Sequence, residues 1–188
     1  MTTLETPRVP LNHPSEEIVI GRHPSGKGYL LETTQLLACP LEEVFAIFSD
    51  AFQLERITPP WLHFQVLTPA PIEMATGTLI DYRLRLHGIP LRWRTRIAAW
   101  EPPYRFIDEQ LKGPYRWWVH EHTFEETPSG ILMKDRVDYG FIGGSLVHRW
   151  FVKGDLRRIF EYRRSQIETI LGKPSHDDRQ QGKTQTDQ

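Results

Sequence analysis

The chain has 188 residues, with Lys plus Arg at 23 against Asp plus Glu at 24 and a net charge of −1; one domain with a substantial core is expected, and no global charge draws it to nucleic acid. The single cysteine, Cys39, excludes an internal disulfide and a multi-cysteine metal site, and its apolar setting LLAC reads as a buried, inert thiol. The opening MTTLETPRVPLNHPSEE lacks the charged-then-apolar pattern of a secretion signal, and no later run reaches the ~20 apolar residues of a membrane span, so a soluble cytoplasmic protein is expected.

Residues 1–17 carry several prolines and no apolar period, and 173–188 are almost wholly polar; both read as mobile tails around a single domain over 18–172. Residues 28–38, GYLLETTQLLA, are rich in strand formers. Pro40 suits a helix start, and LEEVFAIFSD after it places Leu41, Val44, Phe45 and Phe48 on one face with acids in the first turn. A second short helix is expected over 51–57, ended by Thr58-Pro59-Pro60.

From Leu62 the period becomes two, and strands are expected at 62–68, 77–87, 90–101, 104–112, 115–126 and 130–140. The turn signals between them include His87-Gly88, Pro102-Pro103, Gly113-Pro114 and Pro128-Ser129, so the connections are short and the strands form an antiparallel meander. Gly143-Gly144 then opens a long helix over 145–171, with Leu146, Val147, Trp150, Phe151, Leu156, Ile159 and Phe160 near one stripe and Gly154 as the expected place for a kink or break.

The stretches PLEEVFAIFSDAFQLERITPPW, the central run from GTLIDYRLRLHGIP to GPYRWWVHEHTFEE, and DLRRIFEYRRSQIETIL carry a resemblance. They resemble the START/polyketide cyclase-dehydrase superfamily, nearest to its coenzyme Q-binding START-like and bacterial ligand-binding members, in which Trp-Glu-Pro-Pro strand ends and a Gly-Pro-Tyr turn recur. The resemblance implies an α+β helix-grip fold, a curved antiparallel sheet of about seven strands (β-α-α-β6-α) wrapped around a long C-terminal helix. It also implies an apolar cavity between sheet and helix that takes a lipid-, quinone- or polyaromatic-like ligand. It names no catalytic motif, because one architecture serves carriers, receptors and cyclases alike.

Alternation assigns the faces. Arg92, Arg94 and Arg96 face out while Trp93, Thr95 and Ile97 face in; Asp81, Arg83 and Arg85 face out while Ile80, Tyr82 and Leu84 face in. Placing paired residues symmetrically about each turn puts Tyr82, Thr95, Glu109, Trp118 and Tyr139 in one cross-strand row, with His120 opposite Val137 and His122 opposite Asp135. The expected inner face is thus apolar with a polar seam in which Glu109 meets His120, His122 meets Asp135 and Arg105 lies alongside. Buried carboxylates and imidazoles cost several kcal/mol unless paired, so such a seam is satisfied internally or meets a ligand's polar group.

The expected ligand wall is Tyr82, Trp93, Thr95, Glu109, Trp118, His120, His122, Phe124, Tyr139, Trp150 and Phe151. Were the chain an enzyme, Glu109, His120, His122 and Asp135 are the acid/base candidates for a cyclase or dehydratase; as a structural alternative, His122 and Asp135 form a plain buried pair. His-x-His on a strand is weak evidence for a metal, and no metal or cofactor is expected. The partners expected are a small hydrophobic ligand, no nucleic acid, and a transient membrane-surface contact.

Overall fold

The structure, a computed structural model, describes residues 17–141 and 143–172; the expected tails lie outside these apart from Glu17. One antiparallel sheet of eight strands has the order β1-β2-β8-β7-β6-β5-β4-β3. The strands are β1 (Val19–Arg22), β2 (Tyr29–Leu37), β3 (Gln65–Val66), β4 (Leu79–Leu86), β5 (Ile89–Glu101), β6 (Arg105–Lys112), β7 (Trp117–Thr127) and β8 (Gly130–Gly140). The last five run as a meander, and β2 closes against β8. The eighth strand is β1, which sequence reading missed because only Ile20 of VIGR is buried, leaving no period to detect. The strand expected over 62–68 is instead a 3₁₀ turn, Pro60–Leu62, followed by the two-residue β3.

Helix α1 (Leu41–Ser49) begins where expected: the Pro40 carbonyl accepts from the Glu43 and Val44 N–H groups, and Glu42 and Glu43 face the positive end of the helix dipole. Its buried Leu41, Val44, Phe45 and Phe48 pack on the concave face of the sheet, and α2 (Gln53–Ile57) follows. The β4–β5 hairpin turns through His87 (φ 51°) and Gly88 (φ 80°), two positive-φ residues that match the twist of a two-residue hairpin and lock Leu86 opposite Ile89.

The C-terminal helical run is irregular where it starts rather than at Gly154, which lies unbroken within α4 (Lys153–Leu171). A single π turn, His148–Val152, joins the short α3 (Gly144–Val147) to α4. It turns His148 and Val152 inward, continuing into Leu156 and Phe160. The His148 ring stacks on Tyr29 at 3.4 Å and its Nε2 shares a 2.7 Å hydrogen bond with the Tyr139 hydroxyl. Burial, with Lys153 and Arg22 adding repulsion, pushes the His148 pKa down to about 4, so the stacked ring is neutral.

Candidate functional site

Between the inner face of the sheet, the α1–α2 hairpin and α4 lies a cavity of about 180 Å³. Its walls are apolar: Ile80 and Tyr82 on β4, Trp93 on β5, Trp118 on β7, and Leu156 and Phe160 on α4. Its polar side chains are Thr58, Thr95, Asp108, His120, His122 and Arg163, and Asp108, His120 and His122 are in mutual contact. Alternation on β7 sends Trp118, His120, His122 and Phe124 inward, because the intervening Trp117, Val119 and Glu121 belong to the other face.

The centre of the site is a four-residue cluster. His120 and His122 lie side by side, ring centroids 3.8 Å apart, between two carboxylates. Behind them Asp135 Oδ1 is 2.6 Å from His122 Nδ1 and 3.3 Å from His120 Nε2. On the β6 side Asp108 Oδ2 is 3.3 Å from His122 Nε2 and 3.7 Å from His120 Nδ1. Phe106 stacks on His122 at 4.2 Å, and Trp118 meets His120 edge-on, so both imidazoles are held by aromatic walls.

Burial acts on every member, and the neighbours decide the outcome. For His120, burial and the adjacent His122 depress the pKa, and the two carboxylates only partly offset them. For His122, burial also works downward but is outweighed by Asp135 and Asp108, which raise it. Burial would raise Asp135, yet His122 and His120 hold its carboxyl well below the usual carboxylate range. The electrostatic balance is a buried Asp135 carboxylate beside two imidazoles, with the proton favoured on His122 over His120.

Of the residues expected on the ligand wall, Tyr82, Trp93, Thr95, Trp118, His120 and His122 converge on the cavity. Glu109 does not. It faces outward, opposite Arg96 and in an ion pair with it, and Arg105 is likewise outside, bridging Glu101 and Glu121. The seam takes Asp108 in place of Glu109 because the β6–β7 loop is centred on Pro114, pairing Asp108 with His120, rather than half a residue earlier. A shift of one residue exchanges the two faces of a strand.

Phe124 belongs to the core beneath α1, in contact with Phe45, Phe48 and Phe106, and Tyr139 is fully buried beside Tyr29 and His148. Trp150 and Phe151, 70% and 62% exposed, face solvent because the π turn buries His148 and Val152 in their stead. Asp135 sits behind the histidines, 2% exposed. Sequence reading missed Asp108 and Arg163 on the cavity and Trp100 in the core: a β-bulge between Ile97 and Ala99 turns Trp100 inward against Phe45 and Phe106. Consecutive arginines on a polar helix, such as Arg163 and its neighbour, give no sequence sign that one of them points in. The outer arginines are largely paired, Arg94 with Asp81 through two 2.8 Å bonds and Arg83 with Gln65.

Solved structures share this fold at low identity. Protein Ms6760 from Mycobacterium smegmatis superposes with a TM-score of 0.60 at 17% identity, over 82% of this chain and 98% of that one. A protein from Arthrobacter aurescens gives 0.63 at 15%, over 84% and 92%, and the protein TTHA0849 from Thermus thermophilus gives 0.61 at 14%, over 76% and 96%. No curated protein sequence matches the chain significantly, and among the described residues no helix is long and apolar enough to cross a membrane. The model of the family described as "polyketide cyclase / dehydrase and lipid transport" matches residues 37–164, more than half of the chain. With its sheet closed over a long C-terminal helix, the chain belongs to that family, within the START/polyketide cyclase superfamily.

Proposed function

We propose that the protein binds a compact, largely apolar molecule of one or two rings in this cavity, with a single oxygen-bearing group turned toward Asp108, His120, His122 and Arg163. The observation that carries this reading is the make-up of the cavity: a mostly apolar and aromatic lining into which the contacting Asp108, His120 and His122 are set. Size sets the class. A dry cavity of ~150 Å³ holds one benzene-sized molecule, so about 180 Å³ suits a quinone-like or small polyaromatic head, and a lipid tail would have to leave through the mouth. Tryptophan fluorescence, reported by Trp93 and Trp118, should show saturable one-to-one quenching by 1-naphthol. Leu84→Trp, which fills the wall, should weaken it at least tenfold; an unchanged affinity would place the ligand elsewhere.

A second reading is favoured by one feature, the Asp135–His122 contact that orients an imidazole toward the cavity. In a dehydratase Asp108 would take a proton from the carbon next to a carbonyl while a β-hydroxyl, given a proton by His122, leaves as water. Incubation with 4-hydroxy-4-phenylbutan-2-one tests it in the same cavity. Loss of water faster than in buffer, abolished by Asp108→Asn, supports the reading; a recovered, unchanged ketone with intact naphthol binding sinks it.

The exposed Leu146, Val147, Trp150 and Phe151 form an apolar surface beside Arg149 and Lys153, at the start of the helical run that carries Leu156 and Ile159 to the cavity. We infer that this surface meets an anionic membrane when ligand is exchanged, aromatic rings and cations being the pairing that suits the headgroup region. Sedimentation with vesicles of mixed phosphatidylcholine and phosphatidylglycerol should be reduced severalfold by Trp150→Ser with Phe151→Ser. Equal sedimentation of the variant would remove the membrane from the account.

A further inference from the structure

We propose that Asp108, His120 and His122 form a three-donor site for a divalent transition-metal ion of the zinc, cobalt or iron(II) kind, with Asp135 as the outer carboxylate that orients both histidines. The three residues bring donor atoms within 4.8 Å of one another. The separations suit an ion better than they suit hydrogen bonds. Metal–ligand bonds of about 2.0–2.1 Å at tetrahedral angles place neighbouring donors about 3.3–3.4 Å apart. The observed 3.3 Å from Asp108 Oδ2 to His122 Nε2 and 3.7 Å to His120 Nδ1 lie near that edge length, whereas a charge-assisted hydrogen bond is ~2.7–2.9 Å.

The outer layer is already in place. A metal-bound histidine commonly gives its second nitrogen to a carboxylate, which fixes tautomer and ring orientation. Here the nitrogens facing away from Asp108, His122 Nδ1 and His120 Nε2, both face Asp135 Oδ1, at 2.6 and 3.3 Å. Among the described residues these two nitrogens and Asp135 Oδ1 lack a hydrogen bond of good alignment, although all are buried. An ion between the rings and Asp108 would draw the imidazoles into the neutral, outward-donating form that a single carboxylate can serve. Two imidazoles and one carboxylate suit zinc, cobalt and iron(II).

Three protein donors leave a position open, and Asp108, His120 and His122 all line the cavity, so that position faces the space assigned to the ligand. The proposal rests on the cavity reading only for what fills the open position, an oxygen or nitrogen of the bound molecule. No metal was expected from the sequence because His-x-His on a strand is weak evidence and no family metal motif accompanies it; the register observed brings in Asp108, whose carboxylate faces both rings.

The test uses tag-free full-length protein stripped with a chelator and titrated with Co²⁺ and Zn²⁺ by calorimetry and visible absorption. One equivalent of Co²⁺ should bind with low-micromolar affinity or better and show the intense visible bands of a four- or five-coordinate ion. Asp108→Asn and His120→Gln should each weaken binding at least tenfold, Asp135→Asn about 10–100-fold, and the surface control His63→Ala not at all. In the unmodified protein, Co²⁺ should shift and broaden the ring-proton resonances of His120 and His122 before those of any other histidine, a readout that needs no variant to fold. No stoichiometric binding, binding unaffected by Asp108→Asn, or first broadening at surface histidines would overturn the site. Metal binding with no naphthol binding would keep this site and sink the cavity reading; the converse would do the reverse.

Discussion

Asp135→Ala is expected to cost about 3–5 kcal/mol of folding stability, among the largest effects of any substitution in this chain. The reason lies in what would be left behind. Asp135 is 2% exposed and is the closer counter-charge to His122, at 2.6 Å, while also facing His120. Its loss leaves two buried imidazoles with only Asp108, at 3.3 and 3.7 Å, to offset a proton on either ring, and their inner nitrogens without a facing acceptor. Asp135→Asn keeps the volume and one acceptor and should cost less, about 1–3 kcal/mol. Asp108, whose side chain is 18% exposed at the cavity, should be cheaper still to replace with Asn. Urea denaturation of chelator-treated protein measures all three; a loss below about 1 kcal/mol for Asp135→Ala would show that this carboxylate does not anchor the pair.

Phe124→Ala should cost about 3–5 kcal/mol with little effect on ligand affinity, and Trp93→Ala should reduce affinity at least tenfold with a smaller loss of stability. The two aromatics share the inner face of one sheet, and their neighbours separate them. Phe124, 2% exposed, is in contact with Phe45 at 5.7 Å and Phe48 at 5.2 Å, so it is much of what ties α1 to β7. A cavity opened there loses both the transfer energy of the ring and the contacts of its neighbours. Trp93 is only partly buried, stands edge-on to Trp118 at 5.6 Å, and donates its indole N–H to Thr95 Oγ1 at 3.0 Å, which fixes the ring against the cavity. Naphthol titrations beside urea melts discriminate. If Phe124→Ala abolished binding while leaving stability unchanged, Phe124 would return to the ligand wall.

The order of the elements is written in local chemistry. Pro40 and the acids after it start α1, His87-Gly88 and Pro128-Ser129 close hairpins, and the alternation in LIDYRLRL and LRWRTRI separates arginines from aromatics. The pairing of β7 with β8 was legible for the same reason: a two-residue turn leaves only one centre, so Trp118 opposite Tyr139 and His122 opposite Asp135 follow from counting. Where a loop is longer, counting fails. Residues 113–116 between β6 and β7 leave the centre open by half a residue, enough to exchange Asp108 for Glu109. The π turn is another such case, since the apolar residues of LVHRWFV fit a helical stripe whether Trp150 or His148 faces in.

By itself, then, the sequence determined the α+β helix-grip fold, the pair His120 and His122 on the inner face, and an aromatic wall containing Tyr82, Trp93 and Trp118. Only the tertiary structure decided that Asp108 completes the polar cluster, that Arg163 reaches the cavity, that Trp150 and Phe151 lie outside it, and that about 180 Å³ remains for a ligand. Periodicity is a local property and says which residues share a face. Which face turns inward, and what lies opposite, depends on the register of strands distant in sequence and on how closely α1 and α4 pack against them.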